Sequence, residues 1–528
     1  MIENKRILMV GKETFTYPFY FLSRAWKEKN TLAMLWTNPI ESEYDECDIN
    51  RSTYYAFEKL GFVKNYTLNE IADVYTEELK SPNVDYQDLK RIEEKYTHFK
   101  NLNCQLISDQ KMTGHYHFRT MCVPVTYEQQ LRWIQLMYQA IEKILDDFKP
   151  DVIFDCDIAE LCRTVLNEVA YSRGIPYISI AYPKYEMYKI PSFSLSTQID
   201  PYLRDEYAKC LELDNIEEKE YIEKFRVNQS IKNKMYIGVN NLTYQYTADS
   251  LLNTIKTIYY RGTYFLKQDL SSHNRELKKK NPVLYDRSSK YMKFWVRTQL
   301  YRRKLMKSKS FFDKPVEGEP YVYMPLHLIP ESTTFSIAPF WINELSAIEA
   351  VSKALPAGWY LYVKEHQAML GERGEEFYRK VKKIPNVKLV QFNYYTDPKP
   401  WIENARAVVA ITGTAAYEAV LLGKPGFVFG DVPFELIKGI TKISCINNLP
   451  SMLRDLDEID NIRECAAYIR AVKNTGVSIN LNYIMNEAYN ALFLNKPLEN
   501  KFHEEIENLR LFFEKALSIY EEYHYSQK

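Results

Sequence analysis

The sequence predicts an α/β protein made of two α/β halves joined by a helical stretch. Three observations carry that expectation. Short apolar, largely β-branched runs recur between helix- or loop-length segments, most plainly Trp359 to Val363, Val387 to Val390, Ala407 to Ile411 and Gly426 to Phe429. That alternation marks strands of a buried parallel sheet. A second unit opens the chain, where Arg6 to Val10 leads through Gly11-Lys12-Glu13-Thr14 into the apolar run Tyr17 to Trp26. Between the halves, from Pro201 to Lys314, long helical stretches replace the strand signals. Polar residues gather at the ends of the apolar runs, which is where open α/β sheets hold their ligands.

A chain of 528 residues is too long for one ordinary core, so two or three domains are expected. The 69 Lys and Arg balance the 69 Asp and Glu, which leaves no global attraction to nucleic acid, and no nucleic-acid partner is expected. The eight cysteines are scattered without a CxxC pair. That suits reduced thiols in a cytoplasm better than disulfides or zinc, and no metal site is expected. MIENKRILMVGKE enters a strand with no long apolar region, and no stretch approaches the roughly 18 apolar residues of a membrane span. The expected place is the cytoplasm, or the inner face of a membrane.

In chain order, Leu32 to Trp36 reads as a second strand. From Tyr44 to about Lys111 the chain is polar and tyrosine-rich, read as helices and loops. Tyr127 to Phe148 has helical periodicity and stops at Lys149-Pro150. KPDVIFDCDIAELCRTVLNEVAYSRGIPYISIAYP then gives a β-α-β unit: strand Val152 to Phe154, helix Ile158 to Ser172, strand Tyr177 to Ala181. The expected units are a first α/β domain over 1–195, a helical and basic insertion over 196–318, a second α/β domain over 319–498, and a C-terminal helix over 499–528. In that helix Ile506, Leu509, Phe513, Leu517 and Tyr520 form one stripe. Within the insertion, residues 275–309 are rich in Lys and Arg interleaved with aromatics. This is either a solvated helical face or a patch for anionic lipid or a polyanionic acceptor.

The chemistry-bearing residues sit at predicted strand ends. Thr412-Gly413-Thr414 leads into a helix containing Glu418. Such a turn offers N–H groups and hydroxyls to a phosphate at a helix N-terminus, or is a plain turn with a threonine cap. Glu418 could accept ribose hydroxyls. His366, beside Lys364 and Glu365, could donate to a phosphate or leaving group. His327 and Glu331, in MPLHLIPESTT, are candidates for the same crevice. In the first half Asp155 and Asp157 form a DxD, which could hold a cation, cap a helix through Asp157, or serve as acid or base. Glu13 is the rival carboxylate, and a hydroxyl acceptor needs one such group to remove its proton. The first strand lacks a GxGxxG fingerprint, so a bound dinucleotide is not expected.

Taken together, PLHLIPESTT, LYVKEHQ, FYRKVKKIPNVKLV and ITGTAAYEAVLLGKPGFVFG resemble the bacterial capsular polysaccharide biosynthesis group of surface-carbohydrate glycosyltransferases. That group is similar to the Kdo transferases of capsule assembly and, more distantly, to bacterial sialyltransferases. The resemblance covers roughly 321–430 well and the β-α-β unit loosely. It implies a GT-B enzyme, two Rossmann-like domains facing a cleft, with the acceptor on the first and a nucleotide-sugar donor on the second. No separate cofactor is implied. His366 keeps the family's histidine while Gln367 stands where the family has proline, and Thr412-Gly413-Thr414 matches its hydroxyl-bearing loop. The implied donor is a CMP-linked ulosonic acid, Kdo or a sialic-acid relative, and the acceptor a surface glycan or glycolipid. The alternatives are an epimerase or hydrolase of nucleotide sugars on the same scaffold, or a non-catalytic capsule-assembly partner.

Overall fold

The computed structural model describes residues 2–40, 48–157, 160–195, 200–228, 250–285, 288–308, 311–331, 333–395, 397–456 and 459–525. Thirteen strands form two sheets among these residues. The first comprises β1 (Arg6–Gly11), β2 (Thr31–Trp36), β3 (Val63–Tyr66), β4 (Val152–Phe154), β5 (Tyr177–Ala181) and β6 (Tyr188–Ser192). The second comprises β7 (Tyr321–Pro325), β8 (Tyr360–Lys364), β9 (Val387–Leu389), β10 (Ala407–Ala410), β11 (Gly426–Val428) and β12 (Ile440–Lys442). The last strand, β13 (Val477–Ser478), returns to the first sheet and pairs antiparallel with β6.

The second sheet is ordered β12-β11-β10-β7-β8-β9 and is parallel throughout. The first runs β13-β6-β5-β4-β1-β2-β3, with β6 antiparallel to β5. Counted within its own half, each sheet has the 3-2-1-4-5-6 order of a doubly wound nucleotide-binding fold.

Strand periodicity explains the layering of the first half. Leu8 and Val10 face one core layer with Ile134, Ile141 and Val165, while Ile7 and Met9 face the other. Helix Tyr127–Phe148 is set in the first layer by a capping box between Thr126 and Gln129. It ends where Lys149 turns left-handed before Pro150. The second layer is closed from far along the chain by helices Leu481–Leu494 and Asn500–Tyr525. Phe513 lies 4.5 Å from Phe154 and 5.9 Å from Phe19, ring centre to ring centre. The return to the first half thus begins at β13, ahead of the expected boundary at 498.

The polar, tyrosine-rich stretch contains β3, for which no strand was expected. Only four residues long and edge-placed, it leaves little periodic signal. The expected helix over 158–172 is seen from Leu161 to Ser172, and residues 158 and 159 lie outside those described. The region after β6 is helical: Pro201–Leu211, Ile216–Val227, Leu251–Leu270, Ser272–Lys280 and Ser288–Lys307.

The basic range 275–309 is not one solvated face; residues 286, 287 and 309 of it lie outside those described. Lys278 is 3 % exposed, Val283, Leu284 and Tyr285 enter the first core, and Leu305 enters the second. The segment straddles both halves because its aromatic and aliphatic residues alternate with the charges. No helix among the described residues is long and apolar enough to cross a membrane.

Candidate functional site

In the second half the carboxyl ends of β7, β8 and β10 carry the residues singled out from the sequence. β8 ends at Lys364, followed by Glu365 and His366. Beneath them Arg373, fully buried, bridges Glu365 at 3.0 Å and pairs with Glu344, while Tyr378 donates to Glu365 at 2.5 Å. Burial disfavours the charge on Glu344, but Arg373 and His327 outweigh it and hold that carboxyl below its usual range. Removing one member of such a group would strand a buried charge. Arg373 and Glu344 were not singled out beforehand, since an isolated Arg and a helix-start Glu carry no mark of burial.

His327 is 7 % exposed, with Nδ1 3.4 Å from a Glu344 oxygen. Its Nε2 accepts from the backbone N–H of Thr412 at 3.3 Å. An accepting Nε2 places the ring proton on Nδ1, facing Glu344. His327 therefore sits under the Thr412–Gly413 turn and positions it.

His366 accepts at Nδ1 from Ala368 N–H at 3.2 Å, which leaves the proton on Nε2. Burial, then the neighbouring His327 and Arg373, pushes its pKa down to about 4, so the ring is a neutral N–H donor. Burial also lowers Lys364 to about 8, against the pull of Glu365. The turn that carries His366 is braced by the insertion, because Arg302 donates to the Gln367 carbonyl at 2.8 Å. Gly371, at φ +91°, lies against helix Ser288–Lys307, where a Cβ would come within 2.7 Å of the Thr298 carbonyl oxygen. The left-handed backbone and that close approach both require glycine.

Helix Thr414–Leu421 follows β10, with Gly413 at its N-cap and no side chain capping it. The threonine-cap alternative is therefore not what the turn uses. The Thr412 hydroxyl is buried with no hydrogen-bond partner among the described residues. Glu418, 8 % exposed, is raised to about 8 by burial and by Asp397, against the opposing pull of Lys184. Lys184 belongs to the first half, has φ +70°, and also feels Glu331. It is the cross-cleft residue that sequence reading missed, and nothing in AYPKYE separates it from a surface lysine.

The first half presents its own strand ends. A cavity of about 130 Å³ is lined by Lys12 and Glu13 after β1, Thr37 after β2, Glu160 after β4, and Asp109, among others. Lys12 pairs with Glu160 and lies 3.6 Å from Glu13, while Thr37 donates to Glu160 at 3.2 Å. Burial disfavours the Lys12 charge, yet the two carboxylates hold its ammonium above the usual range. Glu13 keeps a 43 % exposed side chain. Glu160, at φ +93°, was not anticipated.

Asp155 is not available for acid, base or acceptor work. It is fully buried and accepts from Arg163 at 2.7 Å, from Tyr177 at 2.6 Å and from the Asp157 N–H at 3.1 Å. Asp157 lies 3.5 Å from Arg163 and caps no helix, since the following helix has Glu160 at its N-cap. The DxD is a fold-locking ion pair, because Arg163 in the first turn of the helix reaches back to both carboxylates.

The two strand-end faces meet. Segment 99–119 lines the first cavity through Asp109 and crosses to the second half, where Lys100 donates to the Ser336 carbonyl and Arg119 lies 3.9 Å from Glu372. Two Rossmann-order sheets with facing carboxyl ends, plus C-terminal helices that return to the first half, define the architecture. The chain has the GT-B fold.

Neither a protein-family model nor a curated protein matches this GT-B chain. Among solved structures it is similar to Thermosulfurimonas dismutans KpsC, described as a beta Kdo 2,7 transferase. The identity is 12 % over 68 % of this chain and 90 % of that one, with a TM-score of 0.30. A beta Kdo 2,4 transferase of the same organism's KpsC gives 11 % over 64 % and 87 %, with a TM-score of 0.28. The UDP-GlcNAc 2-epimerase of Methanocaldococcus jannaschii gives 11 % over 89 % and 99 %, with a TM-score of 0.23. The strand order of the two sheets and their facing strand ends are those of the GT-B fold.

Proposed function

We propose that this chain is a glycosyltransferase that moves a sugar from a nucleotide donor, favoured to be a CMP-linked ulosonic acid, to a surface glycan or glycolipid. The observation that carries the reading is the uncapped start of helix Thr414–Leu421, set beside a neutral histidine donor. His366 lies within electrostatic range of His327, and His327 accepts from the Thr412 N–H of the turn. A phosphate there meets backbone N–H groups, the helix dipole, the Thr412 and Thr414 hydroxyls and the His366 Nε2–H.

In the proposed mechanism these donors stabilise the charge that grows on the departing phosphate, an electrostatic role that asks for no metal. Lys364 and Lys184 add positive charge at the rim, and Glu418 takes the ribose hydroxyls. With Asp155 locked to Arg163, Glu13 is the carboxylate assigned to the acceptor hydroxyl, in the cavity it shares with Lys12 and Glu160. Approach of the two halves excludes water from the donor. The reading places the protein in the cytoplasm, against the anionic inner membrane face through residues 275–309.

The test is calorimetry and thermal shift with CMP, CDP, UMP, UDP and GDP, with and without EDTA. Selective binding of CMP, indifferent to EDTA, supports the proposal. A preference for UDP turns the reading toward the epimerase, and no binding at all leaves the assembly-partner role.

A further inference from the structure

Nine of the large apolar side chains exposed among the described residues lie on one helix, Leu251–Leu270. At 100° per residue, Leu251, Leu252, Ile255, Ile258, Tyr259, Leu266 and Leu270 share one arc of about 120°. Leu252, Tyr259 and Leu266 are 73 %, 67 % and 63 % exposed, and none of the nine belongs to a core cluster. The packed edge of the helix lies on one flank outside that arc, where Thr254 and Arg261 stand; Tyr260 and Tyr264, farther round, are exposed as well. Arg303 donates to the Thr254 hydroxyl at 2.6 Å, and Arg261 stands 5.1 Å from the Trp295 ring centre and donates to the Tyr291 hydroxyl at 3.4 Å. The helix is held to its neighbour by the Thr254–Arg261 flank and leaves its apolar arc outward.

Charge identifies the occupant. Residues 251–307 carry fifteen Lys and Arg against three Asp and Glu, a net +12 in a chain whose total is zero. Some of these charges turn inward, as Lys278 and Arg302 do, but Lys256, Lys279, Lys280, Lys290, Lys293 and Arg297 remain exposed. Helix Leu251–Leu270 itself holds one acid, Asp269, against Lys256, Arg261 and Lys267. An exposed apolar arc with tyrosines, on a three-helix unit of strong positive charge, matches an anionic bilayer surface.

We infer that helix Leu251–Leu270 lies in the plane of an anionic membrane and seats its Leu252–Ile255–Tyr259–Leu266 face among the acyl chains. This rests on the membrane contact proposed for 275–309 and deepens it: the basic helices supply attraction, and the helix before them supplies insertion. An acceptor anchored in the bilayer would then be met at a fixed height above it.

The experiment is flotation of the full chain with vesicles of phosphatidylcholine alone and of equal parts phosphatidylcholine and phosphatidylglycerol. It compares the natural chain, the fourfold variant Leu252→Ser, Ile255→Ser, Tyr259→Ser, Leu266→Ser, and the pair Lys279→Glu, Lys280→Glu. All four apolar positions are exposed, so folding is retained, and a thermal melt verifies it. The expected result is partition to the anionic vesicles that falls at least about tenfold in the fourfold variant and falls in the charge pair mainly at low salt. Equal partition of natural chain and fourfold variant overturns the insertion but leaves the basic contact. Failure of the natural chain to float overturns both. A natural chain that is dimeric and does not float, with a monomeric fourfold variant, assigns the face to a second copy and overturns the lipid reading. The CMP thermal shift, read on the same samples, reports separately on the transferase reading.

Discussion

The Nε2 of His327 accepts from the Thr412 backbone N–H at 3.3 Å, and Gly413 lies so close above the ring that a Cβ there would stand 2.9 Å from the same nitrogen. A histidine from the end of β7 thereby sets the turn that opens helix Thr414–Leu421. The contact dictates glycine at 413 through close approach, since its φ of −75° is one any residue adopts.

Gly413→Ala should push the turn off the ring and weaken nucleotide binding about tenfold or more, with a smaller loss of thermal stability. His327→Ala should leave the Thr412 N–H unpaired and cost about 1–3 kcal/mol. Calorimetric titration beside urea unfolding separates the two effects. Undiminished binding in Gly413→Ala would remove the turn from the donor site.

His366 should act as a neutral donor. Burial lowers its pKa from 6.5 to about 4, so the unfolded chain binds a proton there between those values and the folded chain does not. Its stabilising contribution is present above about pH 6.5 and is lost as pH falls toward 4. Turnover should show no step from this ring above about pH 5, and His366→Ala should lower kcat about 10²-fold, as loss of one oxyanion donor does. An NMR titration of His366 with a midpoint near its ordinary value would refute the assignment.

Glu418 carries the opposite sign. Burial and Asp397 raise its pKa from 4.5 to about 8, so the folded chain keeps a proton that the unfolded chain releases. The stability this supplies is whole below about pH 4.5 and drains away as pH rises to about 8. Glu418→Gln should flatten that window in urea unfolding at acid and mildly alkaline pH. An unchanged pH slope would mean that the carboxyl is ionised in the fold.

Asp155→Asn should behave as a stability variant. Breaking a buried pair costs about 3–5 kcal/mol, and Arg163 would lose its partner at 2.7 Å. The protein that still folds should keep its KM and kcat. Glu13→Gln should do the reverse, with a near-normal melting temperature and a loss of turnover. An Asp155 variant that is stable but inactive would restore the DxD to the chemistry.

Local patterns carried the strands β1, β2, β4, β5, β7, β8, β9, β10 and β11, because a buried strand must be apolar along its length and turn residues must bound it. They carried the strand-end position of His366 and the Thr412–Thr414 turn for the same reason. Edge strands such as β3 and β13 escaped, being short and half solvated. Lys184, Glu160 and Arg373 escaped because their meaning lies in partners distant in sequence.

The sequence by itself determined two α/β halves, the helical insertion, the amphipathic last helix and the residues at the strand ends, since periodicity and punctuation are local properties of a chain. Only the tertiary structure decided that the last helices close the first half, that Asp155 is spent on Arg163, that Lys184 of the first half lies within electrostatic range of Glu418, and that helix Leu251–Leu270 turns its apolar arc outward. Each of these depends on which distant groups share a buried volume, and burial decides whether a charge is a partner, a catalyst or a surface.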